Sequence, residues 1–148
     1  LEGCMAWRMW YDYFSVPQPG VEDDPSPSWD LRAALQRAVS SLAAYVQACM
    51  HFVVLAPTVR HESGHMVDYM SWKARGWCRL ERIARQLTHD KGMSMLLVKR
   101  ADTIFDIGAH EYLVEPVGLG EFSDQDDRAN LSPVVEGMLT RKMAALYC

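Results

Sequence analysis

A helix-period apolar stripe runs directly into a β-branched run, and this junction limits the fold more than any other stretch. Leu31, Leu35, Ala38, Leu42, Val46 and Cys49 recur at three- and four-residue steps, the spacing of one face of a helix over 29–50. The stretch HFVVLAP follows at 51–57, too short for a helix of its own and closed by Pro57. It reads as a buried strand of the kind found in parallel sheets. A long amphipathic helix feeding such a strand is half of an α/β repeat.

The rest of the chain extends that alternation. AWRMWYDYF (6–14) is aromatic and nearly free of breakers, and reads as a strand. The segment 15–28, rich in Pro, Ser and acid, reads as an exposed loop, with Ser28 as N-cap and Asp30 in the first helical turn. Residues 58–71 read as a polar loop. A second helix is expected over 72–88, burying Trp77, Leu80, Ala84 and Leu87, and SMLLVKR (94–100) as the next strand. EYLVEPVG (111–118) is a further candidate strand, and Ser132–Pro133 marks an N-cap and first turn for a last helix reaching about 147. The expected fold class is therefore α/β, a three-layer sandwich with a mainly parallel sheet, in a single domain spanning 1–148.

Composition narrows function mainly by exclusion. A net charge of −4 with no basic patch removes nucleic acid as the default partner. The longest apolar run, FVVLAP, is far too short to cross a bilayer, and nothing near the start has the pattern of a signal peptide. Cys4, Cys49, Cys78 and Cys148 are widely spaced and form no C-x-x-C pair, which reads as reduced thiols in a cytoplasmic protein. The run GLGEFS (118–123) lacks the last glycine of a dinucleotide fingerprint and reads as a turn. DQDDRAN (124–130) lacks the glycine and closing glutamate of a calcium loop and reads as a solvated acidic loop.

Two stretches compete to carry chemistry. HESGH (61–65) fits H-E-x-x-H: on a helix, His61 and His65 would share a face and bind zinc, with Glu62 as base toward a bound water and Glu81 as the nearest downstream carboxylate on an expected helix for a third ligand. Pro57 leaves little chain to start such a helix, and the alternative is two solvated histidines on a loop. WKARGWCRLERIARQL (72–87) instead sets Trp77, Cys78 and Glu81 at the head of a helix. Trp77 and Glu81 lie one turn apart on one face, an aromatic wall beside an acid. The competing view is structural: Glu81 pairs with Arg85 on a solvated face, while Trp77, Leu80 and Cys78 are core.

The order of these pieces resembles a TIR domain. MWYDYFSVPQ (9–18) is similar to that family's second strand and following loop, with Asp12 at the strand end. LQRAVSSLAAYVQACMHFVVLAP (35–57) is similar to its next helix and strand, with VLAP where the family often has VLS. SWKARGWCRLERI (71–83) resembles its W-C-x-x-E helix through Trp77, Cys78 and Glu81, with Arg82 where the family often has Leu, and SMLLVKR resembles its fourth strand. RGWCRLE (75–81) further resembles a group of uncharacterised protist TIR-like proteins. The match covers 7–100, carries a longer insert at TVRHESGHMVDYM (58–70), leaves 101–148 unaligned, and implies a chain lacking the family's first strand and helix.

The resemblance implies a signalling domain that self-associates or pairs with other TIR-like domains. It also implies cleavage of the nicotinamide–ribose bond of NAD, taken as substrate and not as cofactor, with Glu81 as catalytic residue. Asp12, Trp77 and Cys78 would stand around the substrate. A carboxylate beside the ribose would orient its hydroxyls and stabilise oxocarbenium-like charge. A chain without the first strand would leave that site open and wet, and is expected to be inactive on NAD.

Overall fold

The computed structural model describes residues 8–16, 28–88, 95–107 and 115–147. Expectations for 1–7, most of the 15–28 loop, Ser94, 111–114, Cys4 and Cys148 fall outside the described residues, as do the side chains of Ser28, Asp30 and Leu31. Helices α1 (Asp12–Ser15) and α2 (Ser28–Ala48) come first, then strands β1 (Phe52–Leu55), β2 (Val59–Arg60) and β3 (Met66–Val67), helices α3 (Tyr69–Ala74) and α4 (Gly76–Gln86), strands β4 (Met95–Arg100) and β5 (Thr103–Asp106), and helix α5 (Gln125–Leu146). The architecture is α/β with a mixed sheet. Its order is β1-β4-β5, with β1 parallel to β4 and β4 antiparallel to β5, while β2 and β3 form a separate hairpin.

The α2 stripe buries Val39, Leu42, Ala43 and Val46 against Leu80 and Ala84 of α4 and Leu131 and Met138 of α5. Helical spacing on all three elements makes this a helix-on-helix core. A second cluster joins Val54, Ala56, Met95 and Leu97 of the sheet to Tyr69 and Trp72 of α3, and Phe52 packs against both clusters. Arg85 ties the halves together. Its guanidinium donates to the carbonyls of Cys49 (2.6 Å) and Met50 (2.7 Å), just past the C-terminus of α2, where carbonyls lack helical partners and a cation is favoured. This fixes where the chain leaves α2 for β1.

Several expectations are corrected. Within 6–14 the described residues form no strand: 8–11 are irregular and 12–15 make one helical turn. Trp10 stacks on Tyr45 of α2 at 5.8 Å, so an aromatic contact with a helix stands in for strand pairing. The strand at 51–57 is not buried on both faces; Val54 is covered, while Val53 and Leu55 are exposed. Residues 115–118 are no strand either, since Val117–Leu119 is a 3-10 turn after Pro116. The last helix begins at Gln125 rather than at Ser132. Asp124 caps it by accepting from the Asp126 amide (2.9 Å), so the acidic run is a helix start and not a loop. Pro133 then lies inside α5, beside exposed Ala129, Asn130 and Ser132, where solvent can satisfy the carbonyl left without a donor.

The helix expected over 72–88 is broken in two at Arg75. Glu121 inserts there as an isolated parallel bridge to Arg75: the Gly76 amide donates to the Glu121 carbonyl (2.8 Å), and the Glu121 amide donates to the Ala74 carbonyl (2.8 Å). These bonds take the place of helical ones. The approach requires glycine on both sides. A Cβ at Gly120 would stand 2.4 Å from Gly76 Cα, and one at Gly76 would stand 1.9 Å from the Phe122 ring. At Gly118 a Cβ would meet nothing within 4 Å. Gly120→Ala should therefore lose roughly 3 kcal/mol or more of unfolding free energy in urea, whereas Gly118→Ala should stay within about 1 kcal/mol of the parent. Equal losses in the two variants would refute the close crossing.

Candidate functional site

The broken helix shapes a groove. Asp68 caps α3 by accepting from the Met70 (2.8 Å) and Ser71 (3.2 Å) amides, and Ser71 closes the capping box. Trp72 on α3 stacks on Tyr69 at 5.8 Å. Past the break, Trp77 in the first turn of α4 donates its indole N–H to the Asp127 carboxylate at the head of α5 (2.9 Å). Between these lies an open groove of about 740 Å³, beginning at the carboxyl end of β1 with Leu55, Ala56 and Pro57. That is the edge where open α/β sheets carry their ligands. Trp72, Arg75, Trp77, Phe122, Asp68 and Asp127 line it, with Glu121 from the bridging segment.

His61 and His65 reach the same groove from the β2–β3 hairpin. They do not lie on a helix: 61–65 form the connecting turn, with Gly64 at φ +92° and the Gly64 amide donating to the His61 carbonyl (2.8 Å). The rings stack at 4.8 Å, and both Nδ1 atoms hydrogen-bond Ser63 Oγ, at 2.7 Å from His61 and 2.6 Å from His65. The Ser63 amide also points at His61 Nδ1 (3.2 Å), so that nitrogen is the acceptor and His65 Nδ1 carries the proton given to Ser63 Oγ. Glu62 is exposed in the turn, and Glu81 is on a different element. Among the described residues no group of three or more His, Cys, Asp or Glu side chains is placed to hold a metal ion. Among the described residues the zinc arrangement expected of H-E-x-x-H is thus not assembled.

The other expected residues divide between the groove and the packing behind it. Trp77 lines the groove. Glu81, one turn on, does not; it is half-buried beside Cys78, close enough to Asp12 and Arg75 to feel both charges. Burial, followed by the nearby Asp12 charge, pushes the Glu81 carboxyl up to about 8, against a smaller downward pull from Arg75. Although part of the side chain touches solvent, its carboxyl is enclosed enough that ionisation is costly. Burial, then Glu81, drives the Cys78 thiol up to about 12, which leaves it inert as a nucleophile at neutral pH. Asp12 is exposed and opens α1 instead of ending a strand; it lies close enough to Glu81 for its charge to act on that carboxyl. The surface pairing expected of Arg85 with Glu81 is corrected: Arg85 is buried and serves the Cys49 and Met50 carbonyls. The ion pairs here run elsewhere, with Glu115 bridging Lys73 of α3 (2.8 Å) and buried Arg82 of α4 (2.7 Å). Burial alone would raise the Glu115 carboxyl, but those two cations hold it below its ordinary range.

Sequence reasoning missed the groove's other members, Trp72, Arg75, Asp68, Phe122 and Asp127. Their one sequence signal was the acidic run at 124–127, whose position at a helix start makes Asp127 available to an indole fifty residues away. No family model, curated protein or solved structure significantly matches the chain.

At neutral pH Glu81 is mostly a neutral carboxylic acid, able to donate a proton or a hydrogen bond. Because folding raises its pKa, the folded chain binds the proton more tightly than the unfolded one. The associated stability is complete below about 4.5, is lost as pH rises, and stops changing above about 8. Glu81→Gln should therefore gain on the parent across that window, by on the order of 4 kcal/mol in total. Urea unfolding midpoints from pH 5 to 9 read this directly, and parallel curves would refute the buried, protonated acid.

Proposed function

We propose that this chain is a TIR-like recognition domain of the three-layer α/β type that works by pairing with a second copy of itself, not by hydrolysis. One observation carries the reading: the face of the sheet turned away from α3 is aliphatic and open. The register aligns Val53 with Leu96, Leu55 with Val98, and Val98 with Ile104. Val53, Leu55 and Ile104 are 48%, 63% and 61% exposed. Among the described residues the helices pack elsewhere, α3 on the opposite face through Tyr69 and Trp72. In a three-layer sandwich such a face is covered, and here a second copy supplies the cover. Burying what remains exposed of each of these side chains contributes on the order of 1 kcal/mol. Arg100 and Asp106 stand at opposite ends of the β4–β5 pair, so an antiparallel mate sets unlike charges together in a self-complementary, two-fold contact.

Catalysis on NAD is the weaker part of the resemblance for this chain. The carboxyl assigned to oxocarbenium stabilisation must be ionised and must face the ribose. Glu81 holds its proton at pH 7 and lies outside the groove lining. No helix among the described residues is long and apolar enough to cross a membrane.

Light scattering across protein concentration should show a dimer, and Leu55→Asp with Ile104→Asp should shift the protein to monomer while keeping its circular dichroism. Free nicotinamide released from NAD at pH 7 should be equally negligible for the parent and Glu81→Ala. A strict monomer at high concentration, or nicotinamide release that depends on Glu81, would overturn the reading.

A further inference from the structure

The groove holds a chemistry that neither self-association nor the TIR resemblance uses. Its aromatic lining is Trp72, Trp77 and Phe122, and the Phe122 ring already takes a cation, the Arg128 guanidinium, 5.6 Å from its centroid. Its charged groups are three carboxylates, Asp68, Glu121 and Asp127, against one guanidinium, Arg75. An anion entering the groove meets a net negative field, whereas a cation meets acids and π faces together. Indole faces are the strongest aromatic partners for a cation.

Hydrogen bonding narrows the class of cation. The Trp77 N–H is already given to Asp127 Oδ2 (2.9 Å), which leaves the indole no donor for a ligand and enriches its π system. Asp68 Oδ1 is engaged by the Met70 and Ser71 amides. Asp68 and Asp127 each have one oxygen so engaged, and a ligand that relies on bidentate hydrogen bonds, as a guanidinium does, meets a competing donor at both. A cation without N–H groups loses nothing by this, since it is held by ring faces and field alone. At about 740 Å³ the groove is of ligand-binding size, and its open mouth admits a head group borne on a longer molecule.

We propose that the groove between the β2–β3 hairpin, Trp72, Trp77 and Phe122 binds a quaternary ammonium head group. The head-group site is carried by the aromatic and acidic lining; Leu55 alone is shared with the sheet face proposed to pair copies of the chain. The test is a titration of the purified protein with choline, with its neutral carbon isostere 3,3-dimethylbutan-1-ol, with arginine amide and with inorganic phosphate. Binding is followed by tryptophan fluorescence and by the Trp77 indole N–H resonance. Choline should bind saturably and move that resonance, at least roughly fivefold more tightly than the isostere. Trp72→Leu and Asp127→Asn, each checked for a native circular dichroism spectrum, should each weaken choline at least about fivefold and bring it toward the isostere. Arginine amide should bind more weakly than choline. Equal binding of choline and isostere would reduce the groove to an apolar cleft. Preference for arginine amide or phosphate, or no saturable change with choline, would equally overturn the assignment.

Discussion

The backbones of Gly76 and Gly120 meet so closely that a side chain at Gly120 has no room, while one at Gly76 would run into the Phe122 ring. That contact lets Glu121 pair with the chain at Arg75 and stops α3 from continuing into α4. The consequences spread outward. Because the helix restarts at Gly76, Trp77 points toward the head of α5, where Asp127 receives its N–H. Because Glu121 is held at the break, Phe122 closes over Gly76 and the next few residues deliver Asp124 as the cap of α5. A continuous helix through 75–76 would place Trp72 and Trp77 on one uninterrupted cylinder and leave no groove between them.

Burial divides the chemistry of α4 between its two sides. On the groove side are π faces and hydrogen-bonded carboxylates; behind them, Glu81, Cys78 and Asp12 form a cluster in which burial and like charge hold the acid and thiol in their neutral forms. Burial thus silences the residues whose types first draw attention. On the sheet face turned away from α3, aliphatic residues of β1, β4 and β5 are left in solvent, which is costly unless something packs there.

The local parts of this fold were legible in the sequence. The α2 stripe reads correctly through Leu42 and Val46, and the runs at 52–55 and 95–100 are strands in parallel register. Trp77 and Glu81 share a helix one turn apart, as spacing requires. What escaped was set by contacts distant in the chain. Nothing within 72–88 announces the break at Arg75, because the group that makes it is Glu121; Gly76 alone is a weak signal inside an otherwise helical pattern. At α5 two caps competed, Asp124 and Ser132–Pro133, and the earlier one prevailed because it brings Leu131 into the core along with Met138. The strand pattern at 6–14 failed over its described residues, which pair with no described strand, the aromatic residue Trp10 finding Tyr45 instead. The H-E-x-x-H spacing carried no information about conformation, and the turn at Gly64 decided it.

Native-state hydrogen exchange of the Gly76 and Glu121 amides probes the crossing most directly, since each donates a bond that exists only if the helix is interrupted by the 121 segment. Both amides should exchange as slowly as those of Leu80 and Ala84 in the centre of α4, opening only when the whole domain unfolds. Exchange at either one as fast as at exposed Glu62 in the hairpin turn would contradict the glycine crossing, and with it the groove built upon it.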